Sequence, residues 1–222
     1  GLEEADVIVT NHDLVLSDLR LGGGVILPAP EDSLYVFDEG HQLPAKCLNQ
    51  FALRFHAGGT LQGLRDSERW LAASAEAWVA QGLDERLIPA MTSLVGDLIQ
   101  RSEDIAELLW QLLPEADFER AEHRFPHGRI PAELAEQAAG LVAQWDQLNR
   151  EATRLGAALE NSQTSGSSST DNTVAAAADP DLNLANAQGL VARAEQQLAV
   201  WRAFADAPGE GESGDGWARW CQ

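Results

Sequence analysis

Residues 134–159, LAEQAAGLVAQWDQLNREATRLGAAL, place apolar side chains at alternating steps of four and three. This spacing puts the apolar side chains on one face of an α-helix, which then packs against a neighbouring helix at a shallow angle. The apolar positions are Leu134, Ala138, Leu141, Trp145, Leu148, Ala152, Leu155 and Leu159. A helix of about 30 residues is about 45 Å long, so the stretch predicts an elongated antiparallel helical bundle.

Three further apolar stripes with helical spacing accompany this one. They run through residues 61–78, 87–112 and 190–205. In chain order the stripe at 134–159 is the third and the stripe at 190–205 is the fourth. The segment between them, residues 161–173, is built largely of Ser, Thr, Asn, Gly and Gln. This segment predicts a mobile connection, because such residues bury too little apolar surface to offset the entropy lost on ordering. Four stripes joined by short or polar connections predict a helical bundle.

Tryptophans recur within the four stripes, at positions 70, 78, 110, 145 and 201. Exposed aromatic side chains can stack on the bases of nucleic acids. On the apolar face of a helix, however, a tryptophan more often belongs to the protein core. The spacing favours the core interpretation for these five residues.

Composition limits the possible functions of the chain. Its 222 residues are 45% apolar, enough for a substantial core, and carry a formal net charge of -20. Such a charge opposes non-specific binding of nucleic acid, which depends on Lys and Arg contacts to phosphate. Two distant cysteines, Cys47 and Cys221, form neither a disulfide framework nor a metal-binding spacing. With no signal peptide and no membrane-spanning run, we expect a cytoplasmic protein that does not contact membrane.

A different pattern lies near the N-terminus, where the apolar run Leu34–Phe37 ends in Asp38, Glu39, Gly40 and His41. The run predicts a buried strand, and in an open α/β sheet ligands bind beyond the carboxyl ends of the strands. Adjacent carboxylates there can divide the work, one holding Mg²⁺ and the other polarising a water molecule. We expect the glycine to allow a sharp turn. The alternative is a solvated acidic turn at the surface that binds no metal and takes no part in catalysis.

Upstream, the β-branched run 5–10 predicts a second strand, followed by Asn11, His12 and a short helix over residues 13–19. The Asn11 side chain is expected to cap that helix. Glycines at 22–24 suggest a phosphate-binding loop, but no Lys-Ser or Lys-Thr pair follows at the required spacing. A flexible connection is the better interpretation of these glycines.

One basic island interrupts the acidic helical region. His123, Arg124, His127 and Arg129 lie within seven residues of one another. The segment is either a solvated loop between helices or an edge that contacts phosphate groups.

The two strand segments, ADVIVTNH at 5–12 and LYVFDEGH at 34–41, occur in an order that resembles the DinG and XPD-like branch of superfamily 2 DNA helicases. In that family the second segment is the Walker B, or DEAH, motif. A mostly helical insertion called the Arch domain follows it. Residues 216–220 are similar to the family's return to its first motor domain. The resemblance is good over about the first 50 residues and covers only architecture beyond them.

The family resemblance implies roles for individual residues. Asp38 would hold the Mg²⁺ of ATP, Glu39 would orient and activate the hydrolytic water, and His41 would couple nucleotide state to the motor. The implied cofactors are ATP and Mg²⁺, with a 4Fe-4S cluster in the parent family whose ligands are not in this chain. A phosphate-binding lysine loop and an arginine finger are also absent from this sequence. Arg124, His127 and Arg129 become candidate DNA contacts.

These observations predict a mainly α chain in which an elongated, Arch-like antiparallel bundle is attached to a partial α/β piece with two or three strands. The expected divisions are a partial motor domain at 1–50, the helical insertion at 51–207 and a return segment at 208–222. The expected parent protein unwinds DNA with 5′ to 3′ polarity, acting on single-stranded or forked DNA. We expect the chain to be an internal segment that lacks appreciable ATPase activity by itself.

A second hypothesis belongs to another class of protein. The charge of -20 and the dominant helices also suit a stand-alone acidic adaptor that binds protein partners, with Asp38 and Glu39 merely solvated. A phosphate-binding lysine loop and four clustered cysteines upstream in the gene would separate the two hypotheses. The oligomeric state stays open.

Overall fold

The chain is mainly helical, as the sequence predicts. A computed structural model describes residues 5–113, 123–165, 180–207 and 218–221, except the side chains of 163–165. The described residues form six α-helices and one antiparallel pair of short strands. Two compact units emerge, the N-terminal unit Gly1–Arg54 and the helical unit Phe55–Gln222.

The N-terminal unit contains α1 (His12–Arg20) and α2 (Leu43–Phe51). The helical unit contains α3 (Ala57–Ala80), α4 (Leu87–Gln111), β1 (His123–Arg124), α5 (Ala132–Ser165), α6 (Pro180–Ala205) and β2 (Trp220–Cys221). Single 3₁₀ turns occur at Pro30–Asp32, Gly40–Gln42 and Pro126–Gly128.

The core of the helical unit is built around α5. All eight apolar residues of its stripe are between 0% and 4% exposed. They join one cluster with buried side chains of the other three long helices, among them Leu71, Leu98 and Leu198. The helical bundle predicted from the four stripes is therefore confirmed.

Hydrogen bonds between α3 and α6 show the direction in which those helices run. Trp70 Nε1 donates to Asn183 Oδ1 at 2.9 Å, and Arg193 Nη1 donates to the carbonyl of Gly63 at 2.8 Å. Higher numbers in α6 thus meet lower numbers in α3, so the two helices are antiparallel. Because α4 contacts α3 and α5, and α5 contacts α6, these bonds close the bundle.

The core interpretation of the tryptophans holds for four of the five. Trp78, Trp145 and Trp201 are 2%, 0% and 1% exposed. Trp70 packs against the core and meets Trp78 edge to face, with ring centroids 5.2 Å apart. Trp110 is the exception, because more than half of its side chain lies exposed near the end of α4.

Two arginines cross between helices where glycine leaves room for them. Arg193 of α6 lies over Gly63 of α3 and also donates to Ser67 Oγ at 3.2 Å. A Cβ at Gly63 would lie 2.6 Å from Arg193 Cζ. Arg101 of α4 passes Gly140 of α5 in the same way, since a Cβ at Gly140 would lie 2.7 Å from Arg101 Nη1. Both glycines therefore set how closely the helices approach.

The strands predicted within residues 1–50 are not present among the described residues of the N-terminal unit. Val7 and Val9 are 80% and 93% exposed, and Leu34 and Val36 are 92% and 87% exposed. A strand forms by hydrogen bonding to a neighbouring strand and becomes stable when a sheet covers its apolar side chains. Without such a neighbour, the two apolar segments stay outside regular structure.

The predicted connection between α5 and α6 begins later than expected. α5 continues through Ser165, so residues 161–165 are helical, whereas 166–173 lie outside the described residues. The same holds for residues 208–217 of the predicted return segment. The three-part domain division stays a prediction. Across the described ranges, no helix combines the length and the apolar character needed to cross a membrane.

A pair of glycine substitutions tests the arginine crossing. Gly156 lies in α5 with open space beside it. Gly156→Ala should raise the free energy of unfolding by about 0.5–1 kcal/mol, because alanine loses less backbone entropy in a helix. Gly63→Ala should gain less or lose stability, because the new methyl group displaces Arg193. Urea unfolding followed by tryptophan fluorescence measures both, and equal gains would contradict the crossing.

Candidate functional site

Asp38, Glu39, Gly40 and His41 form a tight turn that leads directly into α2. Glu39 adopts a left-handed backbone conformation, with φ 50° and ψ 39°, which non-glycine residues rarely adopt. Its N–H donates to Asp38 Oδ1 at 2.9 Å. The 3₁₀ turn Gly40–Gln42 follows, and Pro44 lies in the first turn of α2, where a missing N–H costs nothing.

The side chains of Glu39 and His41 lie on the same side of this turn. His41 Nδ1 is 3.2 Å from Glu39 Oε2, and the two side chains are 63% (Glu39) and 74% (His41) exposed. Asp38 is exposed as well. The turn therefore presents two carboxylates and an imidazole to solvent, with the imidazole next to the second carboxylate.

The expected role of Gly40 is wrong. Gly40 is not among the residues with positive φ, and the left-handed residue of the turn is Glu39. A Cβ added at Gly40 meets nothing within 4 Å. The sharp change of direction comes from Glu39, and alanine would fit at position 40.

The first turn of α1 borders this site. Asn11 Oδ1 accepts the Leu14 N–H at 2.8 Å, so the predicted helix cap is confirmed. The half-buried His12 ring lies 5.7 Å from the ring of Phe37, centroid to centroid, with the planes tilted by 51°. Because Phe37 immediately precedes Asp38, α1 contacts the chain where it enters the acidic turn.

Asp18, at the other end of α1, is a buried acid that the sequence analysis missed. Its carboxylate accepts four backbone N–H groups at 2.6–3.3 Å, from Gly24, Val25, Ile26 and Leu27. The hydrogen bond from the Ile26 N–H lowers the pKa of Asp18 below its ordinary value of 3.8, and the other three N–H groups act in the same direction. Burial of the carboxylate opposes this shift but does not cancel it. The loop is therefore organised around one carboxylate.

The loop around Asp18 corrects the interpretation of glycines 22–24 as a flexible connection. The Gly23 N–H donates to the backbone carbonyl of Asp18 at 2.9 Å. Gly23 and Gly24 have φ of 79° and 78°, and such values turn the N–H groups of residues 24–27 inward. The anion that these groups bind is the chain's own carboxylate. An aspartate a few residues before consecutive glycines was the available signal in the sequence.

The acidic turn suits Mg²⁺ bound together with a nucleotide. Protein sites for this ion commonly supply one or two carboxylates, while phosphate oxygens and water fill the remaining positions. Asp38 offers such an exposed carboxylate, and the described residues contain no group of three or more His, Cys, Asp or Glu that would hold a metal alone. A 4Fe-4S cluster does not fit this chain, because the cluster needs four cysteine ligands and the sequence has two cysteines.

The basic island lies in the helical unit, and its first part, β1, pairs with β2. Arg124 of β1 is paired with Trp220 of β2, and the N–H of Phe125 donates to the carbonyl of Arg219 at 3.0 Å. His127 has a left-handed backbone, with φ 57°. Arg124 and His127 are exposed and Arg129 is half-buried, so the three lie along one folded segment.

Arg219 holds this segment in place. Its guanidinium donates to the carbonyl of Ala203 at 2.7 Å and to that of Gly128 at 3.0 Å. With 5% of its surface exposed, the side chain is buried at the end of α6. In the sequence this arginine stands out only as part of the segment 216–220. Its bonds connect the return segment, the end of α6 and the basic island.

Comparison with known proteins identifies relatives of the chain. Over 142 residues, covering 63% of this chain and 20% of the relative, it is 34% identical to "ATP-dependent DNA helicase DinG" of Photobacterium profundum. This chain is similar to a segment of DinG helicases. The corresponding proteins of Shigella flexneri and Escherichia coli (strain K12) are 31% and 28% identical, each over 61% of this chain and 19% of the relative.

The match to DinG is partial in length. The chain spans about a fifth of the curated relatives it matches, at 20% of the Photobacterium protein. No family model matches the chain. The similarity agrees with the family suggested by the Walker B-like segment and supports a DinG-like segment.

Titration tests the loop around Asp18. Because folding lowers the pKa of Asp18, its carboxylate stabilises the N-terminal unit above the unfolded pKa, 3.8, and this stabilisation is lost as pH falls through the folded pKa. We expect the Ile26 amide signal in NMR spectra to titrate with a midpoint below 3.8. Asp18→Asn should abolish that titration and lower the urea midpoint at pH 7, because an amide NH₂ then faces one of the bound N–H groups.

The exposed Asp32 provides a control for this experiment. Asp32→Asn should leave both the Ile26 titration and the urea midpoint unchanged. A wild-type midpoint at or above 3.8 would show that the four N–H groups do not favour the charged carboxylate.

Proposed function

We propose that the chain is an internal segment of an ATP-dependent DNA helicase of the DinG type. The single observation that carries this proposal is the similarity to DinG proteins at 34% identity over 142 residues. The acidic turn supports it independently, because Asp38, Glu39 and His41 are exposed together at the start of α2. The full protein is then a nucleotide hydrolase whose chemistry drives the separation of DNA strands.

In this proposal the carboxylates of the acidic turn have separate roles. Asp38 holds the Mg²⁺ of the bound ATP, and the ion neutralises charge on the phosphates. Glu39 orients the water that attacks the γ-phosphate, with its carboxylate held by His41 at 3.2 Å. His41 can report the state of this carboxylate to α2, which begins two residues later.

The acidic turn is only part of a complete hydrolytic site. Phosphoryl transfer also needs a lysine loop that grips the phosphates and an arginine that stabilises the transition state. We place both in the remaining four-fifths of the full protein. The exposed side chains of Val7, Val9, Leu34 and Val36 support this arrangement, since neighbouring strands of a complete motor domain would cover them. The 4Fe-4S cluster of the family likewise takes its ligands from outside this chain.

The helical unit is proposed to be the Arch-like insertion and to form one wall of the path for DNA. Arg124, His127 and Arg129 are its candidate DNA contacts, for single-stranded or forked DNA. These residues follow one another on the segment held by the β1–β2 pair and by Arg219, so they form one small basic surface where contact with phosphate is expected. We further propose 5′ to 3′ polarity, a role in DNA repair and a cytoplasmic location.

The acidic adaptor stays a second candidate because of the net charge of -20. Reading the gene upstream of Gly1 distinguishes the two. A Gly-Lys-Thr or Gly-Lys-Ser loop with four clustered cysteines supports the helicase, whereas a start codon beside Gly1 supports the adaptor.

Substitutions in the full protein test the roles of the two carboxylates. Asp38→Ala and Glu39→Ala should each abolish DNA unwinding, because the metal or the attacking water loses its position. Fluorescent strand-displacement assays measure unwinding, and thermal melting confirms that the variants are folded. Glu31→Ala serves as the control and should leave unwinding unchanged, since Glu31 is also exposed but lies outside the acidic turn. Unwinding by a folded Glu39→Ala protein would count heavily against the proposal.

The isolated chain should have no appreciable ATPase activity. It lacks the lysine and arginine that stabilise charge on the γ-phosphate. Phosphate release from ATP, with Mg²⁺ and single-stranded DNA present, measures this directly. Turnover of about 1 s⁻¹ or faster, as in typical intact enzymes, would disprove the expectation.

A further inference from the structure

We propose that Lys46 is a positioning residue for the acidic turn, acting through its ion pair with Asp13. The inference rests on the proposed hydrolytic role of Asp38 and Glu39 and adds a residue to which neither the motif nor the relatives assign a role. Lys46 touches neither carboxylate. It determines where the chain leaves the turn, and therefore how Glu39 is oriented.

The ion pair joins the first turns of two helices. Lys46 Nζ lies 2.9 Å from Asp13 Oδ1 and 2.8 Å from Oδ2, so the ammonium bridges both oxygens. Lys46 is the fourth residue of α2 and follows His41 by five residues. Asp13 is the second residue of α1. The Lys46 side chain is 29% exposed and the Asp13 side chain is 61% exposed, so the pair is partly shielded on the lysine side only.

A second polar pair fixes the same two helix faces one turn further along. Gln50 Nε2 donates to Ser17 Oγ at 3.0 Å. Residues 46 and 50 share one face of α2, and residues 13 and 17 share one face of α1, because positions four apart on a helix are neighbours. Two contacts one turn apart oppose rotation or sliding of α2 along α1.

The opposite end of the acidic turn is held by the same part of α1. His12 contacts Phe37, the residue before Asp38, with ring centroids 5.7 Å apart. His12 and Asp13 are consecutive, so one turn of α1, capped by Asn11, holds both the entry to the acidic turn and its exit. Residues 38–41 span the two fixed points, and the left-handed Glu39 lies between them.

The ion pair is expected to affect turnover more than nucleotide binding. In the proposed site the phosphates are gripped mainly by groups outside this chain, whereas Glu39 orients the water. Releasing α2 from α1 therefore lowers kcat and leaves KM for ATP nearly unchanged. Partly exposed ion pairs contribute modestly, so the expected fall is up to about fivefold.

A double-mutant cycle in the full protein tests the assignment. Lys46→Met keeps the apolar stem and removes the charge, and Asp13→Asn keeps the shape of its partner. Each variant should lower the DNA-stimulated kcat up to about fivefold, and the double variant should lose no more than the larger single loss. Arg65→Met is the matched control, because it breaks an exposed pair with Glu103 at 2.6 Å in the helical unit. It should leave kcat unchanged.

A second measurement uses the chain itself and does not depend on activity. Lys46→Met should shift the NMR amide signals of Glu39 and His41, while Arg65→Met should not. If the ion pair only stabilised the fold, Lys46→Met would lower the melting temperature. It would neither shift the Glu39 and His41 signals nor lower kcat while KM stays unchanged.

The outcomes separate this inference from the function on which it rests. If the wild-type full protein does not hydrolyse ATP, the proposed function fails. If it does, an unchanged kcat in Lys46→Met overturns the positioning role. Equal losses in Lys46→Met and Arg65→Met, or a rise in KM without a fall in kcat, overturn it as well. A selective fall in kcat with shifted Glu39 and His41 signals supports it.

Discussion

Burial of the α5 stripe is the interaction on which the helical unit depends. An isolated helix gains little stability in water, so a long helix persists only when its apolar face is covered by other elements. The α5 stripe is covered by α4 and α6, and α3 completes the enclosure through its contacts with α4 and α6. Truncating any one buried leucine of such a stripe to alanine costs about 2–5 kcal/mol, comparable to the total stability of many domains.

Polar crossings determine which of many packings the stripe adopts. Apolar surfaces are non-directional, so they permit helices to slide or rotate against one another. Arg193 over Gly63 and Arg101 over Gly140 are directional, because each guanidinium lies against a glycine and donates hydrogen bonds to acceptors of the neighbouring helix. Arg219 acts similarly at the bundle end, where two carbonyl groups accept its hydrogen bonds. These arginines therefore fix the register of the helices.

Periodicity in the sequence predicted the helical unit well, because each stripe lies within one chain segment. The spacing of its apolar residues alone therefore indicates which face of the helix is buried. The Asn11 cap was predictable for the same reason, since a cap acts over three residues. The strands expected within residues 1–50 were a wrong prediction for the described part of the chain, because a strand depends on partners elsewhere. The motif singled out Asp38, Glu39 and His41, whose roles stay predictions, and it wrongly assigned the sharp turn to Gly40. Backbone strain at Glu39 and the Lys46–Asp13 pair, 33 residues apart, arise only in the folded chain.

The carboxylate of Asp18 illustrates a way to keep a buried charge without a counter-ion. The groups that bind it are backbone N–H dipoles, which carry no net charge and do not dissociate. Dissolved salt weakens interactions between exposed ions over distances beyond about 8 Å at physiological ionic strength, but it screens a buried carboxylate and adjoining dipoles much less. The loop after α1 should therefore keep its shape from dilute buffer to concentrated salt, while the surface ion pairs of the same chain weaken.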